Sequence, residues 1–343
     1  VRSGPYAGTH TGGLQLVAWS TFGAGIDVYD MEFIIKANDL CDVLGLDQSS
    51  AGHAIEWAME CYQRGVLSKQ DTDGVDLRFG NAEAVINLLP KIARREGKLA
   101  DILAEGAYRA ATKVGKESWK WVASNSKGLP TTRADQRVSK AYALAFAVNP
   151  RGSDHLHTET IAEWGITPEA LELVEKLTGD RKWASPIFTQ YRPEIVIWHE
   201  DIYAATESLG LCVFTSTNSY CVTFSNMAEM FTAATGVKMN EKEIQIAGRR
   251  ILTLEKCFNV REGADRKLDD LSWRMMNEPM PSGPNKGMMN SSEELDRMLD
   301  KYYALHGWDV KTSWPYKETL ISLGLKDVSK KLGEIRKIPT VKK

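Results

Sequence analysis

The tripeptide Leu-Gly-Leu occurs three times in this sequence, at residues 44–46, 209–211 and 323–325. Glycine adopts the left-handed backbone conformation that closes an α-helix at little cost, and the leucine after it can pack back on the last turn. Each occurrence therefore predicts the end of a helix. We call such a Leu-Gly-Leu helix end a stop. A side chain placed directly after a stop is held at a fixed position.

Two of these stops carry side chains that are common ligands in proteins. Asp42 and Glu207 each lie three residues before the glycine, and Asp47 and Cys212 directly follow the second leucine. The third stop is followed by Lys326, which offers no comparable chemistry. Two interpretations of the first pair stay open at this point: simple helix ends, or two sites that present side chains to a ligand.

Apolar residues recur at three- and four-residue spacing over most of the chain, which predicts a mainly α fold. Helices are expected at residues 31–44, 50–65, 82–95, 99–114, 192–210, 226–235, 240–258 and 293–305, with a shorter one opened by Thr167-Pro168-Glu169. Pro90 should kink or end the third of these helices. Residues 213–222 could form a short strand, but one strand cannot anchor a sheet.

A chain of 343 residues exceeds the size of an ordinary single core, which predicts two domains. Between residues 119 and 140 the helical pattern loosens into Ser, Lys, Gly, Pro and Arg. We place the boundary there, near Pro130. The expected division is a helical domain at residues 1–130 and a second helical domain at residues 131–343.

The charge distribution argues against a nucleic-acid partner. The sequence holds 43 basic and 45 acidic residues, and no long run of one sign precedes the basic tail at residues 337–343, which is expected to be solvated. No apolar run reaches the roughly 18 to 20 residues needed to span a bilayer, and the first twenty residues lack a signal-peptide pattern. A cytoplasmic protein with no membrane partner is therefore predicted.

Cysteine usage excludes a self-contained metal or disulfide framework. The five cysteines are scattered and form no CxxC pair: Cys41, Cys61, Cys212, Cys221 and Cys257. The first residues are rich in Gly, Ser and Thr and lack an initiator Met, which indicates a cut point inside a longer protein.

Chemically active side chains are concentrated at residues 149–159, NPRGSDHLHTE, after the apolar run 141–148. Loops fixed by a rigid scaffold often carry catalytic groups. His155 and His157 alternate, so they would face the same side in an extended segment. A polar surface loop with an ion pair and a functional loop explain this composition equally well.

The order and spacing of several motifs resemble the C-terminal part of the aldehyde ferredoxin oxidoreductase family, essentially from end to end. These motifs are ANDLCDVLGLDQSSAG at 37–52, DILAEGAYRAA at 101–111, NPRGSDHLH at 149–157, ESLGLC at 207–212 and FNVREG at 258–263, followed by YYALHGWD and SLGLKDV. The resemblance implies two helical domains like domains 2 and 3 of that family. It also implies a tungsten, or molybdenum, bis-pyranopterin cofactor beside a 4Fe-4S cluster.

The resemblance assigns a role to both ligand-bearing stops. The residues that would hold one pterin are Asp42, Gly45, Leu46 and Asp47. Those that would hold the other are Glu207, Gly210 and Leu211, and Cys212 would ligate iron of the cluster. Pterin ring nitrogens donate hydrogen bonds that carboxylates accept, and cluster iron is held by thiolates. Glu207 stands where the family more often has Asp, and its longer side chain can accept the same bond.

In that family the histidine of the NPRGSDH motif lies near the metal. His155 is therefore predicted to donate or accept a proton while an aldehyde is oxidised to a carboxylate, and an unperturbed imidazole, which titrates near about pH 6.5, suits that role. Electrons would pass through the cluster to ferredoxin or another low-potential carrier. Residues 14–18, LQLVA, replace a familiar acidic segment, so His157 and Glu159 are candidate substitutes for the missing carboxylate.

The remaining parts of such an enzyme would have to come from outside this chain. In the family, three further cluster cysteines and the domain that cradles the pterins precede the region that this chain resembles. The chain is thus expected to be an incomplete fragment that needs the N-terminal portion of the same enzyme. A second copy of the chain or additional electron-transfer subunits are further candidate partners.

Two other functions stay open. The changed segment at residues 14–18 motivates a related tungsten enzyme that acts on another carbonyl or on a thioester, as benzoyl-CoA reductases do. In a different class, the chain is a cofactor-free helical interaction protein whose glycines and histidines are structural. Tungsten or molybdenum with about four irons per full-length chain would distinguish either enzyme from the interaction protein.

Overall fold

The computed structural model describes residues 1–132 and 134–341, and the chain divides into two compact units. One unit is Val1–Arg133 with Ser272–Arg274, and the other is Ala134–Leu271 with Met275–Lys343. The described residues form helices, turns and two isolated β-bridges without a strand, which confirms the predicted mainly α fold. The end of the predicted basic tail, residues 342–343, lies outside the described residues.

The first unit is built from short helices around one core. Its helices are α1 (Leu16–Phe22), α2 (Met31–Leu44), α3 (Gln48–Gln63), α4 (Ala82–Arg94), α5 (Lys98–Leu103) and α6 (Ala107–Val114). Helix α3 is buried on several faces, and Trp57 near its middle donates a hydrogen bond to the Ser118 carbonyl at 3.0 Å. This helix packs against α1, α5 and α6.

The second unit surrounds one long buried helix. The helices after residue 134 are α7 (Lys140–Val148), α8 (Pro168–Thr178), α9 (Arg192–Ser208), α10 (Phe224–Thr235), α11 (Glu241–Arg261), α12 (Trp273–Asn277), α13 (Ser292–His306), α14 (Lys317–Ser322) and α15 (Lys326–Ile335). Helix α9 packs against α7, α8, α11 and α13, and α7 is buried along its whole length. Among the described residues, no helix is both long enough and apolar enough to cross a membrane.

All three Leu-Gly-Leu sequences end helices with one geometry. Gly45, Gly210 and Gly324 have φ of 67°, 72° and 74°, in the left-handed region. In each case the amide of the second leucine donates to a carbonyl five residues earlier, at 2.9, 3.1 and 2.8 Å. The predicted helix ends are thus confirmed, and the stop that precedes Lys326 has the same backbone as the other two.

Local predictions were wrong at two places, and one of two predicted outcomes is excluded at a third. Residues 99–114 form two helices, because Gly106 takes a φ of 80° and begins a new helix. Pro90 was predicted to kink or end its helix, and an end is excluded because α4 continues to Arg94. Residues 213–222 form a 3₁₀ turn followed by further turns, since the amides of Asn218 and Tyr220 donate to the nearby Val213 and Thr217 carbonyls instead of to a neighbouring strand.

Candidate cofactor and catalytic sites

The first stop exposes both of its carboxylates. Asp42 accepts hydrogen bonds from Asn38 Nδ2 at 3.0 Å and from Gln48 Nε2 at 3.3 Å. Asp47 also has a structural role, because its side chain caps α3 by accepting from the Ser50 amide at 2.6 Å. Each carboxylate retains lone pairs that can accept from a ligand.

A pocket of about 290 Å³ lies beside this stop within the first unit. Gly45, Leu46 and Asp47 form part of its wall, and Arg95 at the end of α4 lines it too. The Arg95 guanidinium is already paired with carboxylates of the following segment, 2.8 Å from Glu105. The stop therefore borders a concave surface of mixed polarity, which is the usual shape of a small-molecule site.

The second stop lies where α9 emerges from the core of the second unit. Most of α9 is buried, whereas Glu207 and Gly210 are exposed and Leu211 is half-buried. Thr206, in the last buried turn, accepts the Leu211 amide and hydrogen-bonds through its hydroxyl to that of Thr217 at 2.9 Å. A rigid, packed helix thus presents an exposed carboxylate at its end.

Cys212 follows this stop and differs from the buried cysteines. Its thiol is exposed, and hydrogen bonds from the amides of Thr215 and Phe214 lower its pKa. Burial instead raises the pKa to about 12 for each of three other cysteines, Cys41, Cys61 and Cys257. A lowered pKa favours the thiolate, which is the form that binds iron.

The loop after α7 is held by its own side chains and by α11. Asn149 donates to the Asp154 carbonyl at 3.0 Å, and Asn259 of α11 donates to the Pro150 carbonyl at 2.6 Å. Arg151 and Asp154 form an ion pair at 2.6 Å. The expected ion pair is therefore present, and it fixes a loop that also carries both histidines.

His155 lies in a bend of this loop, not in an extended segment, so the two histidines do not alternate as in a strand. Its Nδ1 is buried and lies 4.0 Å from Asp154 Oδ1, beyond hydrogen-bond distance. Burial lowers the pKa of His155, and the Asp154 carboxylate opposes that effect. The imidazole is thus neutral at pH 7 and able to accept a proton.

His157 lies against α11, with Nε2 at 3.1 Å from Glu255 Oε2. Burial alone would lower the pKa of His157, but Glu255 together with the charges of Glu200 and Glu207 raises it above its ordinary value. The charge of Glu207 at the second stop therefore acts on the histidine loop, which lies about 50 positions earlier in the sequence.

Glu159 occupies a partly buried position beside two phenols. Burial raises the pKa of this carboxyl group, and the two nearby hydroxyl groups oppose that rise without cancelling it. A carboxyl group with a raised pKa can exchange a proton nearer neutral pH than an exposed glutamate does.

Several buried polar atoms of this loop lack a hydrogen-bond partner in the described part of the chain. They are His155 Nδ1, Thr158 Oγ1, Glu159 Oε2, Thr160 Oγ1 and also His157 Nε2, whose contact with Glu255 lacks hydrogen-bond geometry. Buried polar groups in proteins are almost always hydrogen-bonded, so a cluster of exceptions indicates a place for polar ligand atoms or water. We take residues 155–160 with the end of α9 as the candidate catalytic site.

The periodicity of the helices did not indicate the partners of this loop. A pocket of about 360 Å³ beside it is lined by His157 and also by Leu254, Glu255, Phe258 and Asn259 of α11. These residues are some 100 positions away in the sequence, where the FNVREG motif and the helical pattern gave no sign that they meet this loop. Among the described residues, no group of three or more His, Cys, Asp or Glu side chains lies close enough to hold a metal ion.

Comparison with known proteins identifies the family. The family profile described as aldehyde ferredoxin oxidoreductase, domains 2 and 3, matches residues 1–325. A tungsten-containing aldehyde ferredoxin oxidoreductase of Pyrococcus horikoshii is 34% identical over 89% of this chain and 47% of the relative. The WOR-like subunit of an aliphatic sulfonate oxidoreductase of Pyrococcus furiosus is 29% identical over 98% of this chain and 50% of that protein.

A solved structure shows the same fold. The active-site complex BamBC of benzoyl coenzyme A reductase, in complex with 1,5-dienoyl-CoA, matches with a TM-score of 0.74 and 24% identity over 94% of this chain and 50% of that one. The chain thus spans about half the length of the curated relatives and of the structure that it matches.

Proposed function

This chain belongs to the aldehyde ferredoxin oxidoreductase family, and we propose that it supplies the helical half of a tungsten enzyme that oxidises aldehydes to carboxylates. The observation that carries the proposal is the exposed Cys212 thiol of lowered pKa, placed after a helix stop that also presents Glu207. When bound, the bis-pyranopterin metal would accept two electrons and a 4Fe-4S cluster would pass them singly to ferredoxin.

The side chains present fit such a cofactor. Asp42 and Asp47 at the first stop, and Glu207 at the second, are exposed carboxylates that can accept hydrogen bonds from pterin nitrogens. Cys212 would provide one thiolate to the cluster, and the other three thiolates would come from the N-terminal portion of the enzyme. Both stops end well-packed helices, which would orient the pterins for electron transfer.

The reaction of an aldehyde with water to give a carboxylic acid releases two protons and two electrons, so the site needs a proton acceptor. His155 is suited to this role because burial lowers the pKa of its imidazole and because its Nδ1 has no hydrogen-bond partner among the described residues. Glu159 and His157 are the next groups able to relay that proton. The adjoining pocket of about 360 Å³ is large enough for a small organic substrate.

Replacing Cys212 with Ser in the full-length enzyme should bleach the visible absorption of the iron–sulfur cluster and lower the iron content, because a neutral hydroxyl is a poor ligand for cluster iron. Cys221→Ser is a matched control, since Cys221 is the other exposed cysteine of the second unit. Iron analysis and absorption spectra provide the measurement. Retention of a complete cluster signal in the Cys212 variant would exclude this residue as a ligand.

Replacing His155 with Ala should lower turnover of an aldehyde by about 10²-fold with tungsten and iron content intact, because the site loses its proton acceptor. Since the pKa of His155 lies below its ordinary value, wild-type turnover should fall only at acidic pH, where the imidazole becomes charged. The variant should lack this acidic limb. His10→Ala is the control, because His10 is exposed. Unchanged turnover in the His155 variant would contradict the role of His155 as the proton acceptor.

A second candidate is a related tungsten oxidoreductase that acts on another carbonyl or on a thioester. The observation behind it is the segment at residues 14–18, which leads into α1 and places no acidic residue in its first turn. Assays of the intact enzyme with aldehydes and with CoA thioesters, using a viologen acceptor, separate the two substrates. Absence of tungsten, molybdenum and iron from the purified full-length protein would support the cofactor-free interaction protein instead.

A further inference from the structure

A second concave surface of the second unit lies between α11 and α15, and no assignment above uses it. It holds a pocket of about 340 Å³. Buried Cys257 and Leu332 line its floor, and both belong to a small core cluster. Its rim is formed by Leu254, Phe258 and Ile335, and about half of each of these side chains is exposed. Large exposed apolar side chains gathered around one pocket indicate an apolar ligand.

The two helices that form this pocket are joined at one end of it. Arg336, directly after α15, donates from Nε to the Val260 carbonyl at 3.3 Å and from Nη2 to the Arg261 carbonyl at 3.2 Å. Both acceptors lie in the last turn of α11. The pocket is therefore formed by contacts within the protein, and a ligand need not order these helices in order to bind.

The charged residues that line the pocket in the described part of the chain are both basic. Lys331 lies on α15 and is exposed. Arg261 lies on α11, with its guanidinium 4.5 Å from the centroid of the Phe258 ring and its Nε 2.8 Å from Glu262. Glu262 offsets part of the charge of Arg261, so Lys331 supplies most of the positive potential. An apolar pocket with a positive edge favours a ligand that has a hydrocarbon body and an anionic group.

This pocket is a neighbour of the pocket beside His157. Leu254 and Phe258 line both pockets. They are four residues apart on α11 and therefore lie on one face of that helix. The two pockets thus meet at these two side chains, and a molecule released beside His157 has the second pocket next to it.

We propose that the pocket between α11 and α15 binds a medium-chain aliphatic carboxylate. The hydrocarbon chain lies against Leu254, Phe258 and Ile335, and the carboxylate lies beside Lys331. Because a carboxylate is the product of the proposed reaction, the substrate class that follows is a medium-chain aldehyde. This assignment of the substrate rests on the proposed function, whereas the binding of the acid does not.

Calorimetric titration of the full-length enzyme with aliphatic acids tests the site. Decanoate should bind, and affinity should rise by about twofold to fourfold for each CH₂ group added between hexanoate and decanoate, because each group leaves water for an apolar surface. Acetate, which has almost no hydrocarbon body, should not bind. Absence of decanoate binding, or one affinity for acids of all lengths, overturns the proposal.

Variants of the pocket locate the bound acid. Lys331→Gln should weaken decanoate binding by about threefold to fivefold and leave the binding of neutral decanol unchanged. Lys330→Gln is the matched control, since Lys330 is exposed but does not line the pocket. Ile335→Ser should weaken both ligands, whereas Ile321→Ser, at an exposed position on α14, should weaken neither. Unchanged decanoate affinity in Lys331→Gln and Ile335→Ser overturns the proposal.

Turnover separates the failure of this inference from the failure of the proposed function. Decanoate should inhibit the oxidation of decanal by the full-length enzyme, and Lys331→Gln should relieve that inhibition. If the enzyme oxidises neither decanal nor acetaldehyde but binds decanoate through Lys331, the proposed function fails and the carboxylate site stands.

An anionic membrane offers similar chemistry to this surface, but a flat bilayer does not fill a concave pocket. Flotation with phosphatidylglycerol vesicles tests this occupant. The full-length enzyme should not float with them. Flotation that depends on Lys331, together with no binding of decanoate, would assign the surface to a membrane and overturn the proposal.

Discussion

Replacing Gly248 with Ala is expected to destabilise the second unit by about 3 kcal/mol or more. Gly248 lies inside α11 where this helix meets α9, and a Cβ atom there would lie 2.0 Å from the Asp201 carbonyl oxygen and 2.8 Å from its carbon. These are backbone atoms of a buried helix and cannot move aside cheaply. Alanine gains about 1 kcal/mol of helix propensity over glycine, so the clash dominates.

Gly333→Ala is the matched control for this prediction. Gly333 also lies inside a helix of the second unit, α15, but a Cβ atom there would meet only the end of the Ile338 side chain at 3.8 Å. This variant should be slightly more stable than wild type, by about 0.5 to 1 kcal/mol. Urea denaturation of both variants provides the measurement. Equal free energies of unfolding for Gly248→Ala and Gly333→Ala would show that α9 and α11 can move apart without a loss of stability.

Replacing Glu163 with Ala should cost about 3 to 5 kcal/mol of folding stability. Glu163 and Arg192 form an ion pair in which both side chains are fully buried, at 3.4 Å. The same carboxylate accepts from the Ala141 amide at 2.9 Å, at the N-terminus of α7. Its removal leaves a buried guanidinium and a buried amide without their partner, which is costlier than the loss of the pair itself.

An exposed pair in the same unit provides the control. Glu175 and Arg181 are about half exposed and lie 2.7 Å apart, so Glu175→Ala should cost no more than about 1 kcal/mol. Replacing both members of the buried pair, as Glu163→Gln with Arg192→Met, should be less destabilising than Glu163→Ala alone. If Glu163→Ala were as stable as Glu175→Ala, burial would not make the Glu163–Arg192 pair more important for stability than the exposed pair.

Most of the helices could be predicted from the sequence. Helix α2 has the predicted bounds, and the long helices α9, α11 and α13 lie within a few residues of the predicted ranges. Capping residues, periodicity and left-handed glycines act over a few positions, which explains this agreement. The helix break at Gly106 was not predicted. Apolar residues follow one helical period on both sides of this glycine, and a glycine in such a position can be tolerated inside a helix or can end it.

The candidate site was harder to predict from the sequence than the helices were. The three Leu-Gly-Leu stops share one backbone geometry, so their shape alone does not separate a ligand site from a helix end. Exposure of Cys212 and its lowered pKa are the structural features that mark it out. The roles of the two stops and of the histidine loop remain predictions from family resemblance, and the variants described above test them.

The sequence by itself determined the helical class, the glycine stops and the presence of His155, His157 and Glu159 in one loop, because these depend on neighbouring residues. Only the tertiary structure decided which groups surround that loop. Glu255 belongs to α11 and Glu200 to α9, 98 and 43 positions after His157, and both raise the pKa of its imidazole. Burial and charge at such a place arise from packing, so no local pattern encodes the pKa of His157.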